Sequence, residues 1–150
     1  MHTRILIAID LSENSLRAVD YVGEMISCHP KAEITLMHVI KEPSSDIMPD
    51  AEERSRHVDK LRAETLSLME EAAKRLTSRG TNEKCICLKI QVCKKLPSVV
   101  ELILSEAGSG GYGTIVVGRR GMSKKEEFLF GSISSKIVRE AKGCTVWVIE

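Results

Sequence analysis

Apolar positions along the chain fall into two rhythms that take turns. Arg4-Ile-Leu-Ile-Ala-Ile-Asp10 is a near-continuous apolar run ending in an acid. Strands covered on both faces, as in parallel sheets, read this way. Glu33–Ile40, Cys85–Val92, Thr114–Val117 and Cys144–Ile149 are further short runs rich in β-branched residues. Between them the apolar residues recur at helical spacing. Leu16, Val19, Val22 and Ile26 form one stripe, with Ser12 and Asn14 or Ser15 as its cap. Pro30 closes that helical region, and Lys41 to Asp50, with Pro43 and Pro49, reads as a loop. Val58, Leu61, Thr65, Leu68, Ala72 and Leu76 mark a long helix that runs to about Arg79 and is stopped by Gly80. Val99, Val100, Ile103 and Ala107 follow Pro97, which suits a first-turn position. Gly108, Gly110, Gly111 and Gly113 then make a loose connection, and Ile133, Ile137, Val138 and Ala141 mark the last helix.

Strand and helix therefore alternate strictly, from a first strand to a fifth. That order predicts an α/β fold: one domain over residues 1–150, an open five-stranded parallel sheet with helices on both faces. In such sheets ligands bind beyond the carboxyl ends of the strands, where the strand order reverses. Asp10 ends the first strand and Gly118 follows the fourth. If those strands are neighbours, Asp10, the residues after strand two and the stretch after Gly118 face one cleft.

That stretch holds the densest candidate chemistry. Gly118 is followed after two residues by Gly121, and after nine more by Gly131-Ser132, where the last helix should start. Glycines let a backbone approach a ligand closely. A helix start offers unpaired N–H groups and a positive dipole end to an anion. Arg119, Arg120, Lys124 and Lys125 add positive charge, which Glu126 and Glu127 reduce. The pattern points to phosphate; a glycine turn closed by a serine cap is the structural alternative. It is not the GxxxxGK[ST] loop.

Charge and composition narrow the classes. A net charge of +1 argues against a large nucleic-acid surface, and an aromatic content of 3% is too low for a base-stacking platform. No apolar run reaches the length of a membrane span, and Met-His-Thr-Arg leads into a strand without a signal-peptide core. A cytoplasmic protein is expected. The five cysteines include no CxxC pair, so they read as reduced, buried small apolar residues, with Cys85 and Cys87 on one strand face. His2, His29, His38 and His57 form no ligand cluster, and His38, at a strand end, is assigned no role. The serines lack a GxSxG elbow. No catalytic or metal-ligating set emerges. Trp147 faces either the core or a dimer interface.

Ile7-Ala-Ile-Asp10-Leu-Ser12, Leu36-Met-His-Val39, Ile115-Val-Val-Gly118-Arg-Arg-Gly121 and Phe130-Gly-Ser-Ile-Ser134 together resemble the motifs of the universal stress protein family, over essentially the whole chain. A proline that often precedes the closing valines in that family is absent from Cys144-Thr-Val-Trp-Val148. The resemblance implies a Rossmann-like fold of the adenine nucleotide alpha hydrolase type, strand order 3-2-1-4-5, and a homodimer through the fifth strand. It implies that ATP, with Mg²⁺, is the ligand. Asp10 would contact ribose or adenosine, and Val39 would meet adenine through its backbone. Val117, Gly118, Arg119, Gly121, Gly131 and Ser132 would line ribose and phosphates, with Ile133 and Ser134 adding helix-start contacts. The implied role is a small regulatory stress-response protein with at most slow ATP hydrolysis. A nucleotide-independent interaction protein on the same fold is the alternative. An adenylating enzyme would need a glycine loop after strand one, and Asp10-Leu-Ser-Glu-Asn-Ser15 has none.

Overall fold

The computed structural model describes residues 3–119 and 131–150. Five parallel strands, β1 (Arg4–Ala8), β2 (Glu33–Lys41), β3 (Ile86–Cys93), β4 (Thr114–Gly118) and β5 (Thr145–Ile149), form one sheet in the order β3-β2-β1-β4-β5. Helices α1 (Glu13–Ile26) and α2 (Ala51–Thr77) cover one face; α3 (Val99–Ser109) and α4 (Ser132–Glu140) cover the other. The doubly wound architecture expected from the sequence pattern and the strand order that the family resemblance implied are both observed.

Pleating divides the apolar residues of each strand between two cores. Ile5, Ile7, Ile34, Leu36 and Val116 pack under α1 and α2 with Val19, Val22, Met69 and Leu76. Leu6, Met37, Ile115 and Val117 pack under α3 and α4 with Val100, Ile103 and Ile137. Each such side chain stabilises the fold by about 1.5–3 kcal/mol when fully buried. Trp147 turns to the first core and meets Tyr21 of α1 edge-on, ring centroids 6.0 Å apart. This supplies the core-facing alternative for Trp147.

Several local expectations shift. The β1 ladder stops at Ala8, so Asp10 lies two residues past the strand; Ile9 N–H still donates to the Met37 carbonyl at 2.8 Å. In α2 the buried stripe runs through Met69, while Leu68 is exposed. Adjacent helix residues lie about 100° apart, and here the inward face falls on Met69 and Ala72 while Leu68 turns outward. Pro97 precedes the helix and does not sit in its first turn. Ser98 is the N-cap of α3, in a reciprocal capping box with Glu101. Those hydrogen bonds from Ser98 hold the Glu101 carboxyl below its ordinary range. Gly108 is taken into α3, and the connection turns instead at Gly111, φ +66°. Of the cysteines only Cys93 is buried; Cys85 and Cys144 are half-buried, and Cys28 and Cys87 are exposed. Cys85 ends a short 3-10 turn and does not share a strand face with Cys87.

Candidate functional site

Register sets Ala8, the last residue of β1, opposite Met37 of β2 and Val117 of β4, and β2 runs on four residues beyond that level to Lys41. The chain leaves β1 toward one face and β4 toward the other, so a crevice opens between them. It is a cleft of about 370 Å³. Ala8, Met37 and Val117 form its apolar floor, and Val39, Val99 and Ile103 form an apolar wall. Asp10, His38 and Lys41 stand on one side, and Gly118, Gly131 and Ser132 on another.

The β1–α1 turn is tightly built. Asp10 Oδ1 accepts from Ser12 N–H at 3.0 Å, and Leu11 between them adopts φ +63°, a left-handed conformation unusual for a branched residue. Ser12 then caps α1, its Oγ accepting from Ser15 N–H at 3.3 Å. Ser15 Oγ donates back to the Ser12 carbonyl at 2.9 Å. Gly118 is needed where this turn crosses β4. A Cβ there would lie 3.2 Å from the Asn14 carbonyl carbon and the Ser15 nitrogen. Its missing side chain thus serves helix packing as well as lining the cleft.

A second construction holds the start of α4. Arg119 N–H donates to the Ile149 carbonyl at 2.6 Å, and the Arg119 carbonyl accepts from Gly131 N–H at 2.7 Å. Ser134 Oγ, buried, reaches the Arg119 carbonyl at 2.8 Å and the Gly131 carbonyl at 3.1 Å. Residues 119 and 131 are therefore tied together at the mouth of the cleft. Gly131 is the N-cap of α4 and supplies no side-chain cap. The N-terminal dipole of this helix is directed at Gly131 and Ser132, both in the cleft wall.

The cleft brings together Asp10, Val39, Val117, Gly118, Gly131, Ser132, Ile133 and Ser134. It does not include the Arg119 side chain, whose guanidinium pairs with the Glu150 carboxylate. Ser134 spends its hydroxyl on the backbone tie. Gly121, with Arg120, Lys124, Lys125, Glu126 and Glu127, lies outside the described residues. The sequence reading missed Ala8, Met37, His38, Lys41, Val99 and Ile103. Val99 and Ile103 are one helical turn apart, which could have marked a wall, but that spacing equally marks core. His38 Nδ1 lies 2.7 Å from the Ile9 carbonyl. A carbonyl only accepts, so Nδ1 carries a proton in this contact. Among the described residues no group of three His, Cys, Asp or Glu side chains could hold a metal ion, and no helix is long and apolar enough to cross a membrane.

The model of the universal stress protein family matches residues 1–150. The chain belongs to the universal stress protein family. A curated relative, universal stress protein YxiE of Bacillus subtilis, is 27% identical over 156 residues, 99% of each chain being covered. Among solved structures, the hypothetical protein MJ0577 shares 26% identity at a TM-score of 0.79, with 99% of this chain and 96% of that one covered. Two others share the fold at lower identity. One is a universal stress protein in complex with cAMP (20%, TM-score 0.67, coverage 98% and 96%). The other is the universal stress protein from Archaeoglobus fulgidus in complex with dAMP (16%, TM-score 0.65, coverage 98% and 97%).

Proposed function

We propose that this chain is an ATP-binding universal stress protein, a small cytoplasmic regulatory protein that forms one domain over residues 1–150 and has at most slow ATPase activity. The observation that carries the reading is the junction of an apolar slot with the glycine-capped start of α4 at the sheet's switch point. A base fits between the floor at Ala8 and Met37 and the wall at Val99 and Ile103, with the Val39 backbone beside it. Asp10 is the acceptor for ribose hydroxyls. Gly118, Gly131 and Ser132 receive the phosphates, on helix N–H groups and dipole. Gly121 belongs to the same cradle by its place in the motif. Mg²⁺, which keeps several waters and is commonly held through substrate phosphates, arrives with the ATP. The two fold neighbours that hold cAMP and dAMP are in keeping with an adenine nucleotide in this architecture. β5 is an edge strand, and a second copy pairing there gives a homodimer.

One observation favours the alternative, a nucleotide-independent interaction protein. Arg119 is committed to Glu150, and among the described residues Lys41 is the cation in the cleft wall. The deciding experiment is a thermal shift with and without Mg-ATP on protein stripped of nucleotide. Ligand at about 100 times Kd stabilises by roughly 2.7 kcal/mol, a rise on the order of 5–10 °C for this size. The rise is expected in wild type and absent in Gly131→Val, whose branched side chain occupies the phosphate approach. No rise in wild type at millimolar ATP leaves the interaction protein.

A further inference from the structure

A second hollow, of about 360 Å³, opens next to the cleft and shares Lys41, Val99, Ser132 and Ile133 with it. Beyond those shared residues it is ringed by Lys94, Lys95 and Lys136, with Ser98 between them. Three separate elements deliver these cations: the end of β2, the connection from β3 to α3, and α4. The nearby acids are engaged. Glu42, also in the lining, faces Arg54 at 3.9 Å, and Glu101 accepts from Ser98 N–H in the capping box while feeling the charge of Lys136. Among the described residues, none of the ion pairs involves Lys41, Lys94, Lys95 or Lys136. With four lysines and one carboxylate, Glu42, the lining carries an excess of positive charge that a multiply charged anion neutralises.

Resting on the reading of the cleft as a nucleotide site, we infer that this hollow is a second phosphoryl-binding subsite. The whole site then takes an adenine nucleotide with a second, separated phosphoryl group. A group at the start of α4 touches Ser132 on the cleft side; the hollow continues past Ser132 and Ile133 to Lys136. A monophosphate fills the first position and leaves the second to water. An extended phosphate chain, or a separate inorganic phosphate beside a mononucleotide, fills both. Lysine suits this role as a mobile point charge that follows phosphate without fixed geometry.

The test compares wild type with the triple variant Lys94→Gln, Lys95→Gln, Lys136→Gln. These lysines are exposed and lie outside the nucleotide cleft, so circular dichroism and the melting temperature should be unchanged. Three probes are titrated calorimetrically at low salt: AMP, diadenosine tetraphosphate and sodium tripolyphosphate. The triple variant should lose about tenfold in affinity for the two polyphosphates and less than about twofold for AMP. Equal loss for AMP, or no loss for either polyphosphate, overturns the subsite. Tripolyphosphate titrated into AMP-saturated wild type separates the two sources: simultaneous binding means an independent anion, competition means a linked chain. If AMP does not bind wild type, the nucleotide reading fails. The tripolyphosphate comparison still decides the hollow.

Discussion

The two ends of this sheet treat polar groups in opposite ways. At the amino end, on the face under α3, Tyr112 donates to Thr35 Oγ1 at 2.8 Å and lies 3.2 Å from Glu106 Oε1, while Glu106 also pairs with Lys89. Arg4 stacks on the Tyr112 ring at 4.9 Å and bridges to Glu33 at 2.9 Å. These groups satisfy one another. At the carboxyl end the same kind of alternation ends in a cleft bounded by a glycine-capped helix. Polar side chains in one place bond one another across elements; in the other, Asp10, Ser15, His38 and Ser134 bond mainly to backbone while lining an open cleft with Ser132 and Lys41. A polar group is informative about function when its partner is missing from the fold, and uninformative when the partner is present.

Substitutions can break this contrast. The largest effect is expected for Glu106→Ala, which removes the shared acceptor of Lys89 and Tyr112. It should cost about 3 kcal/mol in urea denaturation, since hydrogen bonds to a charged group are the strong ones. Nucleotide affinity should stay within about twofold; a large loss of binding would mean the two ends are coupled. Val99→Trp is the converse. It fills the cleft wall and should weaken ATP binding at least about tenfold, or ~1.4 kcal/mol, in a calorimetric titration, with little change in the melting temperature. Gly118→Ala sharpens the contrast, because there packing and cleft meet. Its methyl group sits against the first turn of α1, so about 1 kcal/mol of stability and some affinity should fall together. Loss of one without the other would separate the two roles.

The smallest effect concerns pH. The hydrogen bond to Glu106 raises the Lys89 pKa above its ordinary 10.5. The protonated form is favoured in the folded state, so its contribution is fully present below 10.5 and is lost as pH rises through the folded value. The stability gap between wild type and Lys89→Gln should be constant across neutral pH and narrow in strong alkali, read by denaturant melts. A gap that widened with pH would reverse this assignment.

The sequence showed the layer order clearly, because short β-branched runs and helical stripes have different periods and loops between them carry glycine and proline. It was less clear about facing within long elements. Leu68 and Met69 are adjacent and both apolar, and only the sheet decides that Met69 goes inside. The cleft was legible where residues are local to strand ends, as at Asp10 and Gly118. It was illegible where a helix from another part of the chain supplies the wall, as Val99 and Ile103 do. Arg119 was read as a phosphate candidate from its place beside Gly118; its pairing with Glu150 depends on β5 lying next to β4, a long-range fact.

The tie between Arg119 and Gly131 gives the segment they bracket a common point of departure and return. The described bonds of the tie join the end of β4 to the start of α4 through residues 119, 131 and 134. Any chain that leaves β4 at residue 119 and enters α4 at residue 131 must bring its two ends within one hydrogen bond, 2.7 Å, of each other. Chimaeras joined at these two residues are the natural test of how far the segment between them sets ligand preference.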